Sequence, residues 1–203
     1  VETEYDFSLG NDFLKHKKYL ITYPYEWTAN MFKDAALFYL NLFITLDLYD
    51  LTLKDAIPNN VLFDYNEPVF IDFLSLLCKK DLLHEGWLVD GFTKTKDFRF
   101  AVLEKMFFPY ILFPLLVLGQ KRYCFARELL FSRACNSISC NPPCFKDVYQ
   151  KKGNLSFLKN WIKSLKLSKK INFNKNTNFV DFTKMLFDYI KNIDVSPIRS
   201  DYD

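Results

Sequence analysis

The chain has 203 residues, half of them apolar and 18% aromatic, with 22 Phe and 12 Tyr. That is too much apolar material for a disordered chain, and enough length for one ordinary domain with a real core. A formal net charge of +3, from 27 basic and 24 acidic residues, points to neither nucleic acid nor an anionic membrane as the main partner.

Residues 1 to 18 are polar and patternless, with His16 among Lys15, Lys17 and Lys18; a solvent-exposed ring is the default reading. "YLIT" (19 to 22) has the composition of a short strand, ended by "YPYEW", in which Pro24 holds Tyr23 extended. A long helix is expected from Thr28, its N-cap. Phe32, Ala36, Leu40, Phe43 and Leu46 recur at three-to-four spacing and should form its buried face.

The stretch "LTLKDAIPNNVLFDYNEPVFIDFLSL" (51 to 76) follows. "VLFD" (61 to 64) and "PVFID" (68 to 72) are β-type runs joined by Tyr65-Asn66-Glu67, and read as a hairpin. Past Cys78 the pattern is helical, with helices expected near 98 to 108, 111 to 118, 121 to 134, 154 to 165 and 179 to 192. "MFFPYILFPLLVLG" (106 to 119) is the longest apolar run. It is too short and too proline-rich for a bilayer span of about 20 residues, so it reads as buried core and no membrane partner is expected.

The expected architecture is therefore α+β and mostly helical. Residues 1–18 form a polar segment, 19–165 the main domain, 166–178 a Lys/Asn-rich loop, and 179–203 a C-terminal helix and tail.

Five Gly leave no GxGxxG and no P-loop pattern. Cys78, Cys124, Cys135, Cys140 and Cys144 are odd in number and follow no signal peptide, which fits a reduced, cytoplasmic setting. They include no C-x-x-C pair and neither His lies near the last four, so no zinc is expected. A nucleophilic Cys paired with His84 lacks any marked third partner.

Asp55, Asn60 and Asp72 are the polar residues of interest. Phosphoryl transfer needs an Asp to accept the substrate hydroxyl proton and two oxygen ligands to hold Mg²⁺ against the phosphates. In protein kinases these come from a D-x-x-x-x-N loop and from an Asp placed after the next hairpin. Asp55-Ala-Ile-Pro-Asn-Asn60 has the first spacing, and Asp72-Phe73-Leu74 closes the hairpin. The alternative is structural: Asp55 and Asn60 as turn residues beside Pro58, and Asp72 as the cap of a following helix.

Longer words carry a resemblance. "YPYEW" (23 to 27), "LKDA" (53 to 56), "FID" (70 to 72) and Leu74-Ser75, in that order, resemble a bacterial kinase-like domain found ahead of class I S-adenosylmethionine-dependent methyltransferases in nodulation-type proteins. The match is close over about residues 19 to 76 and weaker to about 133. The resemblance implies the C-terminal lobe of a kinase-like fold. It puts Asp55 in the catalytic-loop place, Asn60 and Asp72 in the metal-ligand places, and Tyr23, Tyr25, Glu26 and Trp27 in a hinge whose backbone faces an adenine. Glu26 and Trp27 are expected to brace that turn, and Asp34 is a further family-pattern position with a surface or capping role.

Mg²⁺ and ATP are the implied cofactors, and a methyltransferase domain or another protein the implied partner. A non-catalytic pseudokinase or scaffold is the competing expectation, because Leu53, Ile57 and Leu74 stand where protein kinases carry His, Lys and Gly. Only 22 residues precede Tyr23, too few for an N-terminal lobe, and the glycine-poor tail cannot hold a methyltransferase. The chain is thus expected to be a fragment or a reduced relative. If the face an N-terminal lobe covers is exposed, self-association should follow.

Overall fold

A computed structural model describes residues 3–6, 13–80, 98–135 and 178–197. It is mixed α+β: helices pack around α1 (Ala29–Asp47), and three two-stranded antiparallel ladders lie beside them.

Helix α1 starts where the sequence places it. The Thr28 side chain accepts from the Met31 N–H, an N-cap that satisfies one of the orphan donors of the first turn. Phe32, Ala36, Leu40, Phe43 and Leu46 are all buried, joined by Ala35 and Tyr39. The apolar stripe of α1 is thus the spine of the core. Against it packs α5 (Phe179–Lys191), capped by Asn178 and joined through the edge-on pair Phe43–Phe179. Lys33 of α1 donates to the Lys191 and Ile193 carbonyls, which occupies acceptors left open at the end of α5.

Residues 98–119 follow one helical path, where two helices were expected. Phe98–Val102 (α2) runs into a π-helical stretch, Leu103–Leu112, and then into α3 (Phe113–Gly119). Pro109 lies in the gap left between the two expected helices. The wider i→i+5 pattern instead accommodates a residue that has no N–H to donate and that crowds the preceding turn. Helix α4 (Tyr123–Cys135) follows. The helix expected over 154–165 and the loop over 166–178 lie outside the described residues, apart from the cap Asn178.

Two strand expectations need correction. Residues 1 to 18 are not patternless: β1 (Thr3–Asp6) pairs antiparallel with β2 (Phe13–His16), and Glu4 faces Lys15 across the pair. That opposite-charge match is the only trace the pairing leaves in the sequence. "YLIT" is not a strand. Its β-type composition finds no partner among the described residues, and Leu20 and Ile21 are largely exposed. Thr22 serves instead as hydrogen-bond acceptor for the Trp27 indole.

The hairpin forms as β4 (Val61–Asp64) and β5 (Glu67–Phe70), in the register Val61↔Phe70 to Asp64↔Glu67. Its turn is tighter than expected, only Tyr65-Asn66, with Tyr65 in the left-handed region at φ 58°. Outside it lies a second ladder that the sequence did not announce: β3 (Leu51–Leu53) with β6 (Leu76–Cys78), where Leu53 faces Leu76. The outer ladder is anchored to the end of α1 by the Lys79–Asp47 ion pair at 2.6 Å, with Arg99 on the same carboxylate.

These two ladders belong to one long hairpin that opens in its middle. Lys54 N–H donates to Ser75 O at 2.7 Å and ends the outer ladder; Ile71 N–H donates to Asn60 O at 3.0 Å and begins the inner one. Between those bonds, residues 54–60 and 71–75 separate. Asp55, Asn60 and Asp72 all stand at that opening.

Candidate functional site

Each wall of the opening is held by named bonds. On the first, Pro58–Asn60 forms a single 3₁₀ turn, with Asn60 N–H donating to Ile57 O. The Ile57 carbonyl also accepts from the Tyr39 hydroxyl, at 2.7 Å, out of the middle of α1. On the second wall, Phe73–Ser75 forms another 3₁₀ turn, with Ser75 N–H donating to Asp72 O. Asp72 precedes this turn but makes no side-chain cap to it. Its carboxylate Oδ2 instead accepts from Asn60 Nδ2 at 2.9 Å. The capping role weighed for Asp72 is therefore not the one it has.

Asp55 lies at the other end of the opening and is half-buried. Burial is the first cause that raises its carboxyl above the ordinary carboxylate range; Lys54 pulls it down, and the charge of Asp72 adds to the rise. Tyr39 feels the same field. Full burial pushes its hydroxyl well above its usual value, with Asp72 and Asp55 raising it further. The two carboxylates thus share one electrostatic neighbourhood, with the Asn60 amide bridging to one of them.

The donor set at the opening is all oxygen. With Asn60 Nδ2 committed to Asp72 Oδ2, Asn60 Oδ1 and the second Asp72 oxygen carry no hydrogen bond among the described residues. Carbonyl and carboxylate oxygens are the ligands a hard divalent cation such as Mg²⁺ prefers, so the residues present fit that ion.

The Tyr23–Trp27 turn is a different construction. Glu26 braces it reciprocally, its N–H donating to Tyr23 O at 2.8 Å while its carboxylate accepts from Tyr23 N–H at 2.7 Å. Tyr23 and Tyr25 stack, and Tyr25 meets Phe131 of α4 edge-on. Trp27 is a core anchor: it is buried, donates to Thr22 Oγ1 at 2.9 Å, and packs on Phe32 and on Phe63 of β4. Tyr25 and Trp27 also line an apolar cavity of about 110 Å³, with Phe32, Leu118, Ala126 and Leu130. The structure gathers Asp55, Asn60 and Asp72. It directs the side chains of Tyr25 and Trp27 into packing with α1, α4 and β4.

Three residues at the opening were not singled out as site residues by sequence reasoning. Ser75 is fully buried, and its hydroxyl bonds both backbone groups of Asp55. Tyr39 was expected on no face in particular, and its hydroxyl reaches the loop from α1. His16 is exposed as expected, yet its ring stacks on Phe73, the residue after Asp72, at 5.4 Å and 20°. A lone Ser and a lone Tyr at apolar-patterned positions were the available signal for the first two. The contact of His16 spans too many residues to leave one.

Asp34 is exposed on α1, where burial and Glu67 raise its carboxyl and Lys33 lowers it. Neither Cys78 nor Cys124 is in a disulfide, and Cys140, Cys144 and His84 lie outside the described residues. No cluster of three His, Cys, Asp or Glu side chains suited to a metal occurs among the described residues, so a cation here would depend on the Asn60 oxygen. Nor is any described helix long and apolar enough to cross a membrane.

The comparisons with known proteins add one relative. The chain is 49% identical over 63 residues to the nodulation protein NoeA of Rhizobium meliloti (strain 1021). That match covers 30% of this chain and 13% of NoeA, so the chain spans only a small part of its relative's length. No protein-family model and no solved structure matches the chain.

Proposed function

We propose that this chain is a kinase-like module that holds Mg²⁺–ATP at the opened hairpin and works beside an S-adenosylmethionine-dependent methyltransferase of the nodulation type. The observation that carries the reading is the 2.9 Å bond between the Asn60 amide and the Asp72 carboxylate, across the gap where Asp55 stands. The order of long helix, loop, hairpin and acidic residue supports the kinase-like part, and the partial identity to NoeA supports only the nodulation-type association. The five-residue segment Tyr23–Trp27 takes the hinge place in this reading, with an adenine against its backbone, while its side chains brace the fold.

In this reading Asn60 Oδ1 and Asp72 would hold the cation, which would supply positive charge against the phosphates. Asp55 accepts the proton of an acceptor hydroxyl as that oxygen bonds to the γ-phosphorus of ATP and ADP leaves. Burial raises the Asp55 carboxyl above the ordinary carboxylate range, which makes its ionised form a stronger proton acceptor than an exposed aspartate. Calorimetric titration of ATP and ADP with Mg²⁺, on this chain and on the full gene product, tests the reading. Metal-dependent binding that Asp72→Ala abolishes is the expected result; no binding in either protein rejects it.

A second reading is a non-catalytic interaction module of the same fold. Leu20, Ile21 and Leu74 are 78%, 70% and 84% exposed, and Leu74 stands where protein kinases carry the glycine of D-F-G. Contiguous exposed apolar patches mark association surfaces, and scattered apolar side chains do not, so self-association is the property to measure. Concentration-dependent light scattering that reverts in Leu20→Asp would support this reading; a monodisperse monomer would count against it.

A further inference from the structure

We infer that Ser75 is the positioning residue that couples Asp55 to the Asp72 turn. The inference rests on the proposed cation site for its purpose, although the geometry stands without it.

All the polar groups of Ser75 are engaged. Its N–H donates to the Asp72 carbonyl at 3.1 Å, and its carbonyl accepts from Lys54 N–H at 2.7 Å. Its hydroxyl accepts from Asp55 N–H at 2.8 Å and donates to Asp55 O at 3.2 Å. One side chain thus fixes the N–H and the C=O of the same residue across the opening. Both backbone directions at Asp55 then follow the turn that begins at Asp72.

The alternatives for this position are weaker. A buried hydroxyl can persist simply as a satisfied polar group, but one local bond to its own turn would do that. Ser75 spends its hydroxyl on the facing strand instead. By contrast Thr52, one residue before Leu53 in β3, is equally buried and its hydroxyl has no hydrogen-bond partner among the described residues. The neighbourhood therefore does not by itself supply partners to every hydroxyl. Asn60 closes the far end of the opening against Asp72, and Ser75 closes the near end against Asp55. An event at Asp72 then has a two-bond route to Asp55.

The test uses backbone NMR on the whole chain, in the wild type and in Ser75→Ala and Ser75→Thr. Hydrogen exchange comes first and needs no ligand. In Ser75→Ala the Asp55 amide should lose at least tenfold of its protection while amides in α1 keep theirs. Ser75→Thr, which retains the hydroxyl, should restore it; if Thr is too large for the site, loss of α1 protection will show that, and Ser75→Cys then gives the size-matched comparison, expected to behave as Ala does. Unchanged Asp55 protection in Ser75→Ala overturns the inference.

Mg²⁺ titration is the second arm. In the wild type the Asp72 and Asp55 amide resonances should shift together. In Ser75→Ala the Asp72 shift should remain and the Asp55 shift should collapse. An Asp55 response that persists in Ser75→Ala overturns the coupling. No Mg²⁺ response in the wild type rejects the cation reading, while the exchange arm still decides the role of Ser75.

Discussion

The Tyr39 hydroxyl donates to the Ile57 carbonyl at 2.7 Å, joining the central turn of α1 to the loop between Asp55 and Asn60. That carbonyl also accepts from Asn60 N–H, so one acceptor holds both the helix and the 3₁₀ turn. Tyr39→Phe keeps the ring and its edge-on contact with Phe70 but removes the bond. The loss should be about 1–2 kcal/mol, because the carbonyl retains one donor. Chemical denaturation of the two proteins measures it.

Alkali gives the same tyrosine a second signature. Its hydroxyl titrates well above the ordinary value of 10.0 in the folded chain. The stabilisation it provides is therefore complete below pH 10 and declines as pH rises from there toward its folded value. Tyr39→Phe should lose this part of the alkaline slope, which melting temperatures recorded from pH 8 to 11 would reveal.

Asp55 has the opposite meaning for a carboxylate. Its folded value lies above the ordinary 3.8, with burial the main cause. The stability it contributes is fully present below 3.8 and is lost as pH rises through the folded value, so the ionised form at pH 7 is the destabilised one. Asp55→Asn should raise the melting temperature at pH 7 by a few degrees and flatten the slope between pH 3 and 6. A lower melting temperature at pH 7 in Asp55→Asn would show that Asp55 serves structure before chemistry.

Trp27 carries the Tyr23–Trp27 turn. Trp27→Ala removes a buried indole that packs on Phe32 and Phe63 and bonds Thr22, and should lower stability by about 3–5 kcal/mol. Trp27→Phe should recover most of that, leaving a deficit near the ~1 kcal/mol of the lost hydrogen bond. Urea unfolding of the three proteins gives both differences.

Gly119 ends α3 under the segment that follows α5. A Cβ built there would stand 2.7 Å from Ile193 Cγ2 and 3.6 Å from the Asp194 carbonyl. Gly119→Ala should therefore destabilise by about 1–3 kcal/mol despite the better helix propensity of Ala. Gly119→Ala combined with Ile193→Val, which keeps the Cγ2 methyl, should not relieve it; combined with Ile193→Ala, it should.

Sequence pattern served this chain where periodicity was long. The face of α1, its Thr28 cap, the last helix and the β4–β5 hairpin all rest on runs long enough to show a period. The three-residue strands β3 and β6 were missed because Leu-Thr-Leu and Leu-Leu-Cys are too short to show one, and their pairing closes across more than twenty residues. "YLIT" failed for the converse reason: propensity without a partner makes no ladder. The gap expected between 108 and 111 does not form, since a local rule cannot see a π-helical register that accommodates Pro109.

At the site, spacing and resemblance brought Asp55, Asn60 and Asp72 forward, and the fold sets them around one opening. The bond from Asn60 to Asp72 needs the hairpin register, which no residue count alone supplies. Ser75 showed only as part of a family word and as a lone Ser among apolar residues, because nothing in a sequence distinguishes a hydroxyl that bonds its own turn from one that reaches the opposite strand.

The opened hairpin also restricts how this stretch can change length. β3–β6 on one side and β4–β5 on the other clamp the opening at both ends. A slip of one residue in either ladder would turn Leu53 or Val61, both buried, toward the other face. An insertion or deletion within 54–60 or 71–75 therefore has nowhere to go except the space between Asp55 and Asp72. Drift in length is far better tolerated at the Tyr65-Asn66 turn of the β4–β5 hairpin, where both side chains are exposed.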